Sequence, residues 1–119
     1  MTEAYLLIDL SSSAVRAYVV TPDGQKRAQK SRAIHNVRDP KYADALSFDP
    51  NLLQQDLISV CAEAVAAAGE VCIVAVSATS AREGIVLLDA DNHPLGGYPN
   101  IDNRGQAWEQ EIEDHHGIY

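Results

Sequence analysis

Three short stretches of the chain combine residue types that can do chemistry. The first is Asp9-Leu10-Ser11-Ser12-Ser13-Ala14-Val15-Arg16. An acid ends a short apolar run, small hydroxyl residues follow, and a cation stands beyond them. Small side chains let backbone N–H groups approach a phosphate, and hydroxyls add donors. An acid beside them can hold a Mg²⁺ ion or its waters. A Ser-rich turn with a capping Asp would use the same residues. The second stretch is Ser77-Ala78-Thr79-Ser80-Ala81-Arg82-Glu83-Gly84. Arg82 gives a fork of donors and Glu83 an acceptor, a pairing that suits vicinal hydroxyls, since each hydroxyl both donates and accepts. A local ion pair on a loop is the plainer alternative. The third is Asp102-Asn103-Arg104, a second acceptor and donor set, or else the cap of a following helix.

These stretches need elements to hold them. Ala4–Ile8 reads as a strand, Leu10–Ala14 as a turn and Val15–Val20 as a second strand. Thr21-Pro22-Asp23-Gly24 has turn chemistry, with Pro presetting one dihedral and Gly free to take the positive one. A third strand is predicted from Gln25 to about Ile34. Asp49 and Pro50 open a helix as N-cap and first residue; Leu53, Leu57, Cys61, Ala64 and Ala68 carry its apolar face, and Gly69 caps its end. Val71–Val76 is apolar throughout. Such a strand belongs in the middle of a covered sheet, with the second stretch at its C-terminal end, where α/β sheets place ligands. A hairpin of Gly84–Leu88 and Pro94–Tyr98 around Asp91-Asn92-His93 follows. A second helix over Asn103–His116 comes next, with Trp108 and Ile112 on one face and Gly117 after it. The order predicts an α/β fold with a mixed sheet.

Composition narrows the function. The chain has 119 residues, 46% of them apolar, a formal net charge of −8, nine cations and 17 acids. Affinity for nucleic acid needs clustered cations, so this balance argues against nucleic acid as a partner. Six cations (Lys26, Arg27, Lys30, Arg32, Arg38 and Lys41) fall between 26 and 41, as on a solvated strand face and its loop. Beyond Lys41 only Arg82 and Arg104 remain, so each is expected to pair with a carboxylate or to meet a polar ligand. Cys61 and Cys72 read as buried, reduced thiols. No signal peptide or membrane span is legible, which points to a cytoplasmic protein with no membrane partner. Nucleotide-binding GxxxxGK[ST], GxSxG and HExxH motifs are absent from the sequence.

Taken in order, the three stretches resemble the N-terminal lobe of FGGY carbohydrate kinases. YLLIDLSSSAVRAYVVTPDGQ is similar to that family's opening I-D-x-G-T-x-S-x-R hairpin, VAVSATSAREGIVLLDADNHPL to its Arg-Glu loop and hairpin, and GGYPNIDNRG to its W-x-D-x-R segment. The resemblance implies a ribonuclease H-like, actin-like ATPase fold. It implies ATP and Mg²⁺ as cofactors and a sugar or polyol as substrate. Asp9, Ser11, Ser12, Ser13 and Arg16 inherit the phosphate-binding role, with Asp9 also the Mg²⁺-associated acid. Arg82, Glu83, Asp102 and Arg104 inherit the acceptor-binding role. Ser11 stands where the family has Gly, so a side chain is expected to crowd the phosphate or to oppose a positive dihedral. The family's catalytic base, an Asp, and its second lobe come later than residue 119. Residues 1–119 are therefore expected to be a partial N-terminal domain without kinase activity by itself. A non-catalytic interaction module of the same fold, self-associating through its exposed sheet, is the alternative; a metal-dependent ribonuclease H-like nuclease is disfavoured by the acidic balance.

Overall fold

The computed structural model describes residues 1–116. Strand β1 (Thr2–Leu10) and strand β2 (Ala14–Val20) pair antiparallel across the Ser11–Ser13 turn, with Asp9 opposite Arg16 and Leu10 opposite Val15. Strand β3 (Lys26–Ala33) pairs antiparallel with β2. The Thr21–Gly24 turn between them forms as its residues predict: Gly24 takes φ 86°, and its N–H donates to the Thr21 carbonyl at 2.8 Å. Two-residue strands β4 (Val37–Arg38) and β5 (Leu46–Ser47) then pair with each other.

Helix α1 (Pro50–Ala67) starts where Asp49 accepts hydrogen bonds from the Asn51 and Leu52 N–H groups at 2.9 and 3.3 Å. It ends at Ala68, after which Gly69 adopts φ 79°, the left-handed conformation that stops a helix. Its buried Val60, Ala64 and Ala68 pack on Ala4, Val15, Ala17 and Val19 of the sheet. Four of these seven residues are alanines, so the helix lies close against the strands. Burial of this kind is the main force holding the unit together.

Strand β6 (Val71–Ser80) returns parallel to β1, so the sheet order is β3-β2-β1-β6 and the sheet is mixed. The central position expected for this strand is not what the described residues provide. β6 is an edge strand, and every residue from Val74 to Ser80 is exposed. Only Val71 and Ile73 reach the core, because α1 covers the start of β6 and nothing described covers the rest. Cys72 is likewise exposed, and Cys61 is half-buried, so neither thiol is the fully buried one expected. Desolvation by its apolar neighbours raises the Cys61 pKa above its ordinary value.

Strands β7 (Ile85–Leu88) and β8 (Pro94–Tyr98) form the expected hairpin. Its turn is built by Asp89, whose carboxylate accepts the Asp91 and His93 N–H groups at 2.8 and 2.9 Å, while Asn92 takes φ 63°. Phe48 donates its N–H to the Gly97 carbonyl at 2.9 Å and bridges the hairpin to the start of α1. The predicted last helix is two pieces, a 3₁₀ turn at Arg104–Trp108 and helix α2 (Glu109–His116). Trp108 packs on Tyr42, ring centroids 5.1 Å apart, rather than with Ile112 on one buried face. Asn103 makes no side-chain cap, and Gly117 lies outside the described residues. No helix among the described residues is long and apolar enough to cross a membrane.

Candidate functional site

The parallel pairing of β1 and β6 decides which residues meet. Asp9 is level with Thr79 and Leu10 with Ser80, so both strands end together and their following turns leave from the same end of the sheet. The Ala81 N–H donates to the Leu10 carbonyl at 2.7 Å, one step beyond the last paired residues. The Ser11–Ser13 turn and the Ala81–Gly84 turn are therefore neighbours. Between them lies a cleft of about 190 Å³, lined by Leu10, Ser11 and Ser12 from the first turn and by Ser80, Ala81 and Gly84 from the second, with Phe48 and Asn36 among its other lining residues.

The Ser11–Ser13 turn is tied down from several directions. Its backbone is closed by the Ser11 N–H donating to the Ala14 carbonyl at 3.0 Å. The Ile34 N–H donates to the Ser13 carbonyl at 2.8 Å, and the Asn36 side-chain amide to the Ser12 carbonyl at 2.9 Å. Asn36 is a site residue without a local sequence signal, its partner being 24 residues away. The Asn36 Oδ1 is buried without a hydrogen-bond partner, which costs free energy. Ser11 is not among the described non-glycine residues with positive φ, so the expected conflict with a left-handed backbone does not arise. Asp9 and Arg16 face each other across the ladder, Arg16 Nη1 standing 3.5 Å from Asp9 Oδ2, with both side chains about one-third exposed.

Arg82 and Glu83 lie in the second turn. Both are exposed, and among the described residues neither takes part in an ion pair or a side-chain hydrogen bond. The local ion pair considered as their alternative role does not form. Glu83 sits at φ 64°, a left-handed conformation that residues with a Cβ rarely adopt. Strain of this kind concentrates where function holds a residue in place.

Asp102 and Arg104 stand in a network of their own. Arg104 Nε lies 3.0 Å from both carboxylate oxygens of Asp102, and Arg104 Nη2 donates to the Leu46 carbonyl at 3.1 Å. Asp102 Oδ1 accepts the Leu46 N–H at 2.7 Å. The guanidinium also lies over the Tyr98 ring at 4.6 Å. Burial pushes the Asp102 carboxyl up, but the Arg104 and Leu46 hydrogen bonds outweigh it and leave the pKa below the ordinary value. The hydrogen bond to Asp102 raises that of Arg104. Of the expected site residues only Ser11 and Ser12 line the cleft between the first two turns; Asp9, Ser13, Arg16, Arg82, Glu83, Asp102 and Arg104 lie outside its lining. The structure thus gathers Asp9, Ser11, Ser12, Ser13, Arg16 and the 81–84 turn at one end of the sheet. It holds Asp102 and Arg104 as a clamp on β5.

Over 117 residues the chain is 32% identical to YoaC of Bacillus subtilis strain 168, by its name a candidate sugar kinase, with 98% of this chain and 24% of that protein covered. The autoinducer-2 kinase of Escherichia coli SMS-3-5 is 30% identical over 115 residues, with 94% of this chain and 22% of that protein covered. The fold superposes on the crystal structure of gluconate kinase from Lactobacillus acidophilus with a TM-score of 0.84 at 16% identity, covering 96% of this chain and 23% of that one. In sequence the chain is similar to sugar kinases and in fold to carbohydrate kinases, as the FGGY resemblance implies. It spans about a quarter of the length of the curated relatives it matches. No protein-family model matches it. The fold match agrees with the expected α/β, actin-like ATPase fold with a mixed sheet.

Proposed function

We propose that the chain is the N-terminal part of an ATP-dependent sugar or polyol kinase of the cytoplasm. In the whole protein the γ-phosphate of ATP would pass to a carbohydrate hydroxyl. The observation that carries this reading is the Ala81–Leu10 hydrogen bond, which sets the Asp9–Arg16 hairpin beside the Arg82–Glu83 turn. In phosphoryl transfer most of the catalysis is positioning and charge neutralisation, so two binding turns held at one sheet end are the expected equipment.

Each residue has a role that its surroundings support. Backbone N–H groups of the Ser11–Ser13 turn, with the hydroxyls of Ser12 and Ser13, would receive the phosphate chain, and Arg16 would supply positive charge. Asp9 fits a Mg²⁺ ion held through water, because it offers one partly exposed carboxylate and Mg²⁺ keeps most of its water shell. Bound there, Mg²⁺ would neutralise charge developing on the phosphate oxygens. Arg82 and Glu83, exposed and without a side-chain partner among the described residues, would donate to and accept from substrate hydroxyls. Asp102 and Arg104 would serve the acceptor by holding β5 and the chain around it, unless substrate draws Arg104 away from Asp102. A base to deprotonate the attacking hydroxyl is not assigned within 1–119, so this chain alone is expected to be inactive.

The test is a nuclear magnetic resonance titration of residues 1–119 with Mg·ATP and, separately, with a panel of sugars and polyols. Amides of Asp9–Arg16 should shift with the nucleotide, and those of Ala81–Gly84 with a polyol. Absence of both responses overturns the reading, and sugar-dependent ADP release from this chain alone would refute its inactivity.

A second reading is favoured by β6, whose far edge is unpaired among the described residues. There the chain would act as an interaction module of the same fold, joining a second copy through this edge.

A further inference from the structure

Three donors converge on a single oxygen in the turn after β1. Ser11 Oγ accepts the Ala14 N–H at 3.0 Å and the Ser13 N–H at 3.3 Å, and Arg16 Nη1 reaches it at 3.5 Å. The hydroxyl proton has its own outlets, the Ala14 carbonyl at 3.2 Å and Ser13 Oγ at 3.4 Å. Nearby backbone N–H groups aimed at one point make a seat for an anion, and a guanidinium beside them adds charge. The seat is filled from within, by a side chain of the turn itself.

We propose that the Ser11 hydroxyl is an internal stand-in for a phosphate oxygen, and that it sets how tightly the turn binds a phosphate chain. This rests on the reading of the turn as the nucleotide's phosphate site. A hydroxyl is a neutral acceptor, and hydrogen bonds to a phosphate oxygen are roughly twice as strong, so a phosphate can displace it. Displacement requires Ser11 to turn about its Cα–Cβ bond, and its partial exposure gives the side chain room to do so. The ligand must then replace contacts that the free protein already has. Ser11 accordingly lowers affinity for phosphate without having to strain the backbone, since its φ is not in the left-handed region. An ordinary serine turn predicts the opposite sign: removing the hydroxyl would loosen the loop and weaken anion binding.

The experiment compares wild type, Ser11→Ala and Ser11→Gly of the 119-residue chain. Each is titrated with pyrophosphate and followed at the Ser13 and Ala14 amides, with thermal midpoints of the unliganded proteins measured alongside. Ser11→Ala should bind pyrophosphate about three- to tenfold more tightly, the effect of removing one or two competing hydrogen bonds. Ser11→Gly should change in the same direction, and neither midpoint should rise. Binding equal to or weaker than wild type overturns the stand-in role and leaves the phosphate site intact. No binding by any of the three removes the phosphate site as well, so the two failures are separable.

Discussion

The Ala81 N–H and the Leu10 carbonyl meet at 2.7 Å, just past the ends of two parallel strands. The bond extends the β1–β6 ladder by one step after both chains have begun to turn. It therefore fixes the spacing between the hydroxyl-rich turn and the Arg82–Glu83 turn. Replacing Ala81 with Pro removes the donor and leaves the Leu10 carbonyl unpaired. Ala81→Pro should destabilise the chain by about 1–3 kcal/mol and speed hydrogen exchange at Ser11–Ala14. Unfolding curves and exchange rates read this directly, and unchanged exchange in that turn would show that the two turns are independent.

Glu83 at φ 64° makes a prediction in which stability and binding move apart. A residue with a Cβ is strained in this region by roughly 1–2 kcal/mol, and Gly is not, though Gly adds freedom to the unfolded chain. Glu83→Gly should therefore leave stability unchanged or raise it by up to about 1 kcal/mol, while abolishing any polyol response at Ala81–Gly84. Glu83→Gln keeps the strain and loses only the charge, so it should match wild type in thermal midpoint. A clear loss of stability in Glu83→Gly would mean that the side chain supports the fold.

What was legible in the sequence was what depends on neighbours along the chain. Asp49 before Pro50 marked the start of α1, Gly69 its end, and Pro22 with Gly24 the turn between β2 and β3. The apolar run of Val71–Val76 marked a strand, but its place in the sheet depends on what lies beside it, and runs of this kind do not encode that. β4 and β5 are two residues each, too short for any periodicity. At the site, residue types pointed to Asp9, the serines and Arg82–Glu83. The contacts that set their geometry span the chain, Asn36 to Ser12 over 24 residues and Asp102 to Leu46 over 56, and no local pattern announces them.

Asp102 makes the stability of the chain depend on pH. Its carboxyl has a folded pKa below the ordinary value, so the folded state favours the ionised form. The contribution is complete above the unfolded pKa of about 3.9 and is lost as pH falls through the lower folded value. Asp102→Asn removes the charge and weakens the acceptor for the Leu46 N–H. At neutral pH the variant should be less stable by about 1–3 kcal/mol, and the two unfolding curves should converge on acidification below about pH 4. A difference that persists undiminished at low pH would place the effect in packing rather than in ionisation.

The two edges of the main sheet differ in a way that bears on self-association. β3 carries Lys26, Arg27, Lys30 and Arg32, and two copies of it repel. β6 contains no charged residue, proline or glycine, and Val76 on it is 61% exposed. Edges without such guards are where chains add strand to strand. An antiparallel β6–β6 pairing about a two-fold axis would satisfy the unpaired backbone groups of both copies. Sedimentation of the wild-type chain should show a concentration-dependent dimer, and Val76→Lys should shift it to monomer with its thermal midpoint little changed, because residue 76 faces solvent in the single copy. A wild-type chain that stays monomeric at every concentration, or a Val76→Lys dimer as tight as wild type, removes β6 as a self-pairing edge.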